Sequence, residues 1–307
     1  AIIACIAVGL YYPLYLGSTA WTIIIFVYVF IASVAPVWIL LQPRDYLNSF
    51  LLYGMMAAAI IGILFTGTQI TLPAYTGFGG INGTSQLFPM LFITVACGAI
   101  SGFHSLVGSG TTSKQLDHEK DAKLIGYGGM LIECVLAIIA LIAVGTLFAQ
   151  GSMPSGTPTQ VFAAGIANMV AALGIPQYYD VAYIVLILAI SAFALTSLDT
   201  ATRLARYMFQ EFFSDDGIPT KARKLLTNPY FSTLITVGLG ALLATGGYEN
   251  IWPLFGSANQ LLAVLALMAV AAWMVHEGKS NKMFIIPMAF MLVASISALC
   301  ITFYNNV

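Results

Sequence analysis

The chain has 307 residues, of which 60% are hydrophobic and only 7% charged, with a mean hydropathy of +0.92. A soluble domain carries about 25% charged residues because its surface faces water, and 11 Lys+Arg with 12 Asp+Glu cannot coat a globule of this size. That excludes a soluble enzyme, a nucleic-acid binder with a basic face and a disordered linker, and leaves an integral membrane protein. The net charge of −1 says nothing about partners; where the charges sit does.

Apolar stretches near 20 residues long match a hydrocarbon core of about 30 Å. In chain order they fall at roughly 1–12, 20–42, 48–70, 86–109, 124–149, 181–202, 230–247, 254–275 and 283–304. The expectation is an all-α, polytopic transmembrane helical bundle: one domain over residues 1–307 with about nine spanning helices. The first run is already apolar at Ala1, so earlier helices of the full protein are expected upstream. A further piece at about 160–174 is too short to span comfortably. With turn-rich flanks at 151–156 and at Gly174-Ile175-Pro176, it is expected to lie on or dip into the membrane from outside.

The positive-inside rule tests this segmentation. Arg44, Lys114, Lys120, Lys123, Arg203, Arg206, Lys221, Arg223, Lys224, Lys279 and Lys282 fall in or beside alternate loops. Those loops share one side only if 160–174 does not cross. The intervening loops 13–19, 71–85, 150–180 and 248–253 hold no Lys or Arg. Helix 20–42 then runs from outside to inside, and the last helix ends outside. Cys5, Cys97, Cys134 and Cys300 sit in apolar runs without CxxC spacing, and read as buried small hydrophobes rather than metal or disulfide partners.

Polar groups at membrane depth cost several kcal/mol each and are functional candidates by default. Glu133 reads equally as a protonatable carboxylate or as a structural hydrogen-bond partner. Asp199, one turn before Arg203, reads first as half of an interfacial i,i+4 pair. The densest constellation runs from Cys97 to Thr112 and contains Ser101, Gly102, Phe103, His104 and Ser105. Gly102, Gly108 and Gly110 weaken a helix there, and freed backbone groups are tolerable at that depth only where they line a cavity. Discontinuous helices of this kind build transporter sites; the plainer alternative is close helix packing through small residues. Thr196, Ser197 and Thr200 offer oxygens suited to a hard cation such as Na⁺, against which stands simple back-bonding within the helix. Asn259 and Gln260 put two amides at a helix start where apolar packing requires none.

Four stretches carry a resemblance: 34–50 (VAPVWILLQPRDYLNSF), 98–115 (GAISGFHSLVGSGTTSKQ), 196–207 (TSLDTATRLARY) and 252–262 (WPLFGSANQLL). Together they resemble the carbon starvation protein A (CstA) family of bacterial inner-membrane transporters. The resemblance implies uptake of peptides or small carboxylates such as pyruvate under nutrient limitation, driven by H⁺ or Na⁺. It also implies a LeuT-like five-plus-five inverted repeat, as in the amino acid–polyamine–organocation group. There the sixth helix is broken, a non-spanning outer helix follows the seventh, and the eighth offers hydroxyls to a cation. By that count the first two core helices precede Ala1, and the site seen in this chain is incomplete.

The expectation is therefore a cation-coupled secondary transporter in the bacterial inner membrane, with no organic cofactor, no nucleic acid and an open oligomeric state. Ser101, Gly102, Phe103, His104, Ser105, Asn259 and Gln260 would face the substrate, a carboxylate being held at a half-helix N-terminus. Thr196, Ser197 and Thr200 would hold the cation. His104, Glu133 or Asp199 would carry a proton, a role that suits histidine. The rivals are an intramembrane hydrolase built on Gly108-Ser109-Gly110 and a starvation-response membrane protein that transports nothing.

Overall fold

The computed structural model describes residues 8–9, 11–12, 14–75, 77–79, 86–148, 154–214, 221–245 and 248–306. Cys5, most of the 1–12 run and Gly151, Ser152 and Met153 lie outside them. Every regular element among the described residues is helical, so the chain is an all-α polytopic protein. In order the helices are α1 (Ser18–Val34), α2 (Val37–Phe65), a π-helical turn (Leu87–Leu91) leading into α3 (Phe92–Ala96), α4 (Gly102–Gly110) and α5 (Asp121–Leu147). There follow α6 (Pro158–Ala172), α7 (Tyr179–Phe213), α8 (Lys221–Leu226), α9 (Pro229–Thr245), α10 (Tyr248–His276) and α11 (Lys282–Asn306). Five of the described helices are long and apolar enough to cross a membrane, and Ser18–Val34, Leu87–Ala96 and Pro229–Thr245 are shorter apolar pieces.

Three expectations need correction. The first two spans do not separate at 43–47. The chain breaks at Ala35, which is extended at ψ 147° before Pro36, as a residue preceding proline prefers. Pro43 is instead carried inside α2, so Arg44 is a helical residue, with Nη2 3.6 Å from Asp45 Oδ1. Helix 181–202 likewise runs on to Phe213. The apolar run ends near 202, but no glycine or proline stops the helix there, and the Arg, Met, Gln and Glu that follow are good helix formers. Arg203 and Arg206, expected in a loop, are therefore helical, and both are buried. Cys97, Cys134 and Cys300, expected to be buried, are exposed, as are Leu131, Val135 and Ile138; in a membrane protein hydrocarbon, unlike water, exerts no pressure to bury an apolar side chain.

The chain forms two compact units: Ala1–Pro43 with Leu198–Thr245, and Arg44–Ser197 with Gly246–Val307. In the first, α1 packs on α9 around fully buried Ser33, Ser232 and Thr233. Ser232 and Thr233 donate to the carbonyls of Asn228 and Pro229, at 2.9 and 2.7 Å. The end of α1 is held from α7: Arg203 Nη2 donates to Ala32 O at 2.7 Å and Ala35 O at 2.9 Å. The guanidinium thus supplies donors to terminal carbonyls that the helix cannot pair itself and places a positive charge at the negative end of its dipole.

The second unit holds two cores. Met55, Met56 and Ala59 of α2 meet Ile139 and Ala143 of α5, Ile166, Ala167 and Met169 of α6, and Leu186 of α7. Helix α6 starts on a capping box, in which Thr157 Oγ1 accepts from Gln160 N and Gln160 Oε1 accepts from Thr157 N, with Pro158 just inside. Its Gly165 sits so close to α5 that a Cβ there would lie 2.6 Å from Ala143 O. The other core joins Ile93 of α3, Val264 of α10, and Met291, Ala294 and Ala298 of α11.

Candidate functional site

The 86–109 stretch, expected as a spanning segment weakened or broken near its glycines, is interrupted in the second unit. Helix α3 ends at Ala96 and α4 starts at Gly102. Between them Ala99 and Ile100 N–H reach back to Ala96 O at 2.9 and 2.7 Å, and Ser101 is extended at φ −131°, ψ 136°. The interruption therefore lies just before Gly102, while Gly108 and Gly110 stay inside α4. Helix ends leave N–H and C=O groups unpaired, and in a dry environment each such group costs several kcal/mol.

Two consecutive amides of α10 satisfy them. Asn259 Oδ1 accepts from Phe103 N–H at 2.8 Å, and its Nδ2 donates to Ser101 Oγ at 3.0 Å. Ser101 makes no side-chain cap of its own; the cap of α4 comes from another helix. Gln260, 1% exposed, turns its amide as the surrounding donors and acceptors require. With the amide oriented to suit those groups, its oxygen accepts from Cys97 N–H at 3.0 Å and its nitrogen donates to Ile100 O; in the opposite orientation the nitrogen reaches Ile93 O at 3.4 Å. Neighbouring helical residues project about 100° apart, so one amide reaches each side of the break. Gly102 is where the two backbones meet: a Cβ there would lie 2.6 Å from Leu262 Cβ and closer still to Asn259 O.

Two residues beyond Gly102, about 200° around the helix, His104 faces away from this contact. Its Nε2 lies 3.4 Å from Glu133 Oε2 of α5, both side chains partly open. Glu133 also flanks the break itself, since a Cβ on Gly98 would lie 3.6 Å from its Oε1. An imidazole and a carboxylate this close attract one another whenever the imidazole is protonated.

The second unit thus brings Ser101, Gly102, Phe103, His104, Asn259 and Gln260 together with Glu133. Ser105 shares α4, but its hydroxyl donates to Gly102 O at 2.6 Å. Thr196 and Ser197 are elsewhere in that unit. Thr196 Oγ1 accepts from Asn48 Nδ2 at 2.9 Å, and Ser197 is exposed. Thr200 and Asp199 belong to the first unit, where Asp199, 1% exposed, accepts from Tyr28 OH at 3.1 Å. Sequence reasoning missed Asn48 and Tyr28, although an amide and a phenol inside apolar runs were the available signal. No cluster of three or more His, Cys, Asp or Glu able to hold a metal occurs among the described residues.

The family model for carbon starvation protein CstA matches residues 1–154 and 146–298. A peptide transporter CstA of Helicobacter pylori (strain J99 / ATCC 700824) is 34% identical over 349 aligned positions, covering 95% of this chain and 50% of that protein. The peptide transporter CstA of Escherichia coli (strain K12) is 35% identical, over 88% of this chain and 48% of its own length. The pyruvate/proton symporter BtsT of the same organism is 29% identical, over 94% and 51%. The chain therefore spans about half the length of the relatives it matches, and no solved structure matches it. A chain of apolar helices with an interrupted segment clasped by two amides, matched by this family along most of its length, belongs to the carbon starvation protein CstA family.

Proposed function

We propose that this chain is part of a cation-coupled secondary transporter that imports peptides or small carboxylates such as pyruvate across the bacterial cytoplasmic membrane during carbon starvation. The observation that carries this reading is the His104–Glu133 pair on the flank of an interrupted helix. Such interruptions pair backbone polarity with ionisable groups at binding sites in transporters. The names of the relatives supply the substrate classes, and the symporter among them favours H⁺ as the coupling ion. A LeuT-like arrangement is part of this reading. In it the open face of α4 that bears His104 borders the substrate, the break at Ser101, Gly102 and Phe103 holds that face in place, and Glu133 carries the proton with His104.

A Na⁺ site on Thr196 finds less support, because its hydroxyl oxygen already takes the Asn48 amide. A serine hydrolase on Ser109 finds less still: that hydroxyl donates to Ser105 O at 2.9 Å, and His104 is turned to Glu133. The test is uptake of labelled pyruvate and dipeptides by the full-length protein in liposomes under imposed pH or Na⁺ gradients. Accumulation driven by one gradient is expected. No uptake under either, or cleavage of the substrate, would sink the reading.

A further inference from the structure

We infer that Asn259 and Gln260 form a clasp that sets the geometry of the break, and that Asn259 is thereby a positioning residue for the His104–Glu133 pair rather than a substrate ligand. Every polar atom of the two amides described above is engaged by the break. Gln260 holds Cys97 N–H and Ile100 C=O on the upstream side; Asn259 holds Ser101 Oγ and Phe103 N–H on the downstream side. Both are buried, Asn259 at 9% and Gln260 at 1% exposure, and the oxygen and nitrogen of each amide already have a partner at the break, which leaves little for a ligand to engage. Gly102 fixes the crossing, since any side chain there would collide with α10. The first turn of α4 is pinned on one face by this contact, and His104 occupies the opposite face. Rotation or fraying of that turn would carry the imidazole away from the Glu133 carboxylate 3.4 Å off. The α10 stretch from Leu254 to Ala272 has no charged residue, nor do positions one turn from His104 on α4 or from Glu133 on α5. The titratable residues nearest the pair in sequence are Cys97 on the break and Cys134 next to Glu133; the turn packed on α4 carries Lys114, and α7, packed against α5, carries Tyr179 and Tyr183. The spacing of the pair sets how strongly imidazole and carboxylate influence one another.

The inference rests on the transporter reading for one of its two tests only. The first test is amide hydrogen exchange over 97–105 in the full-length protein. Asn259→Ala and Gln260→Ala are each expected to speed exchange at the break roughly tenfold or more, since each strips a buried N–H of its partner. Asn259→Asp keeps an acceptor for Phe103 N–H, while the Ser101 hydroxyl can donate to the second oxygen. It should stay within a factor of about three of the parent. Unchanged exchange in both alanine variants would overturn the clasp. The second test is pyruvate uptake by Asn259→Ala as a function of pH. The pH of half-maximal uptake is expected to move by about half a unit or more, with KM changed less than twofold. A raised KM with an unmoved pH midpoint would make Asn259 a substrate ligand and refute the positioning role. Absence of uptake by the parent protein would count against the transport reading alone, and exchange at the break would still decide the clasp.

Discussion

At the scale of single residues, the close approach at Gly102 makes the sharpest demand. Gly102→Val would drive two methyl groups into the Asn259 carbonyl and Leu262. Overpacking of this kind costs about 1–3 kcal/mol or more, so the thermal midpoint in detergent is expected to fall by several degrees. An unchanged midpoint would mean that α4 and α10 do not cross there. Arg203 is the second case. Its guanidinium holds two carbonyls at the end of α1 from a buried position, and hydrogen bonds to charged groups contribute about 1.5–3 kcal/mol each. Arg203→Ala should therefore destabilise the protein by about 3 kcal/mol, and Arg203→Lys by less, because one ammonium cannot reproduce the planar fork. Equal stability of the three proteins would contradict that assignment. Neither contact was legible in the sequence. Arg203 read as a loop cation because apolar content drops near residue 202, although the helix itself continues.

At the scale of helices, the existence and order of most elements could be read from the apolar runs, whereas their breaks could not. Pro36 and Pro43 send the same local signal, yet only Pro36 ends a helix. The difference is tertiary: the carbonyls of Ala32 and Ala35 find Arg203, so stopping at residue 35 leaves little unpaired. The interruption before Gly102 was partly legible, since glycines, hydroxyls and a histidine in an apolar run signal one. Its exact partners were not, because Asn259 and Gln260 lie more than 150 positions away, at separations of 156 and 158 for the Asn259 bonds. The short helix α6 makes the clearest prediction at this scale. Gly165→Leu would push its core face off Ala143 and should cost about 3 kcal/mol or more, read as loss of thermal stability and of folded yield. Substitution of exposed Gly174, which has open space around it but a φ of +91°, should cost only about 1 kcal/mol.

For the whole molecule, sequence composition alone identified a membrane protein, and the family match agrees. The positive-inside rule predicts that the loops carrying Lys and Arg face the cytoplasm. In the full-length protein with its native cysteines replaced by serine, a cysteine placed at Lys120 should react only with a membrane-permeant thiol reagent, and one placed at Thr157 with an impermeant reagent added outside. Labelling of both from the same side would contradict the orientation. The His104–Glu133 pair is the point at which fold, family and proposed activity meet, since each residue read separately had a bland alternative and only the break brings them to 3.4 Å. The most direct test is Glu133→Gln in the full-length protein reconstituted in liposomes, with proton-driven accumulation of pyruvate measured beside exchange of pyruvate at equal concentrations on both sides. If the pair carries the coupling proton, accumulation falls by at least tenfold while exchange persists; accumulation at the parent level would remove the pair from the mechanism.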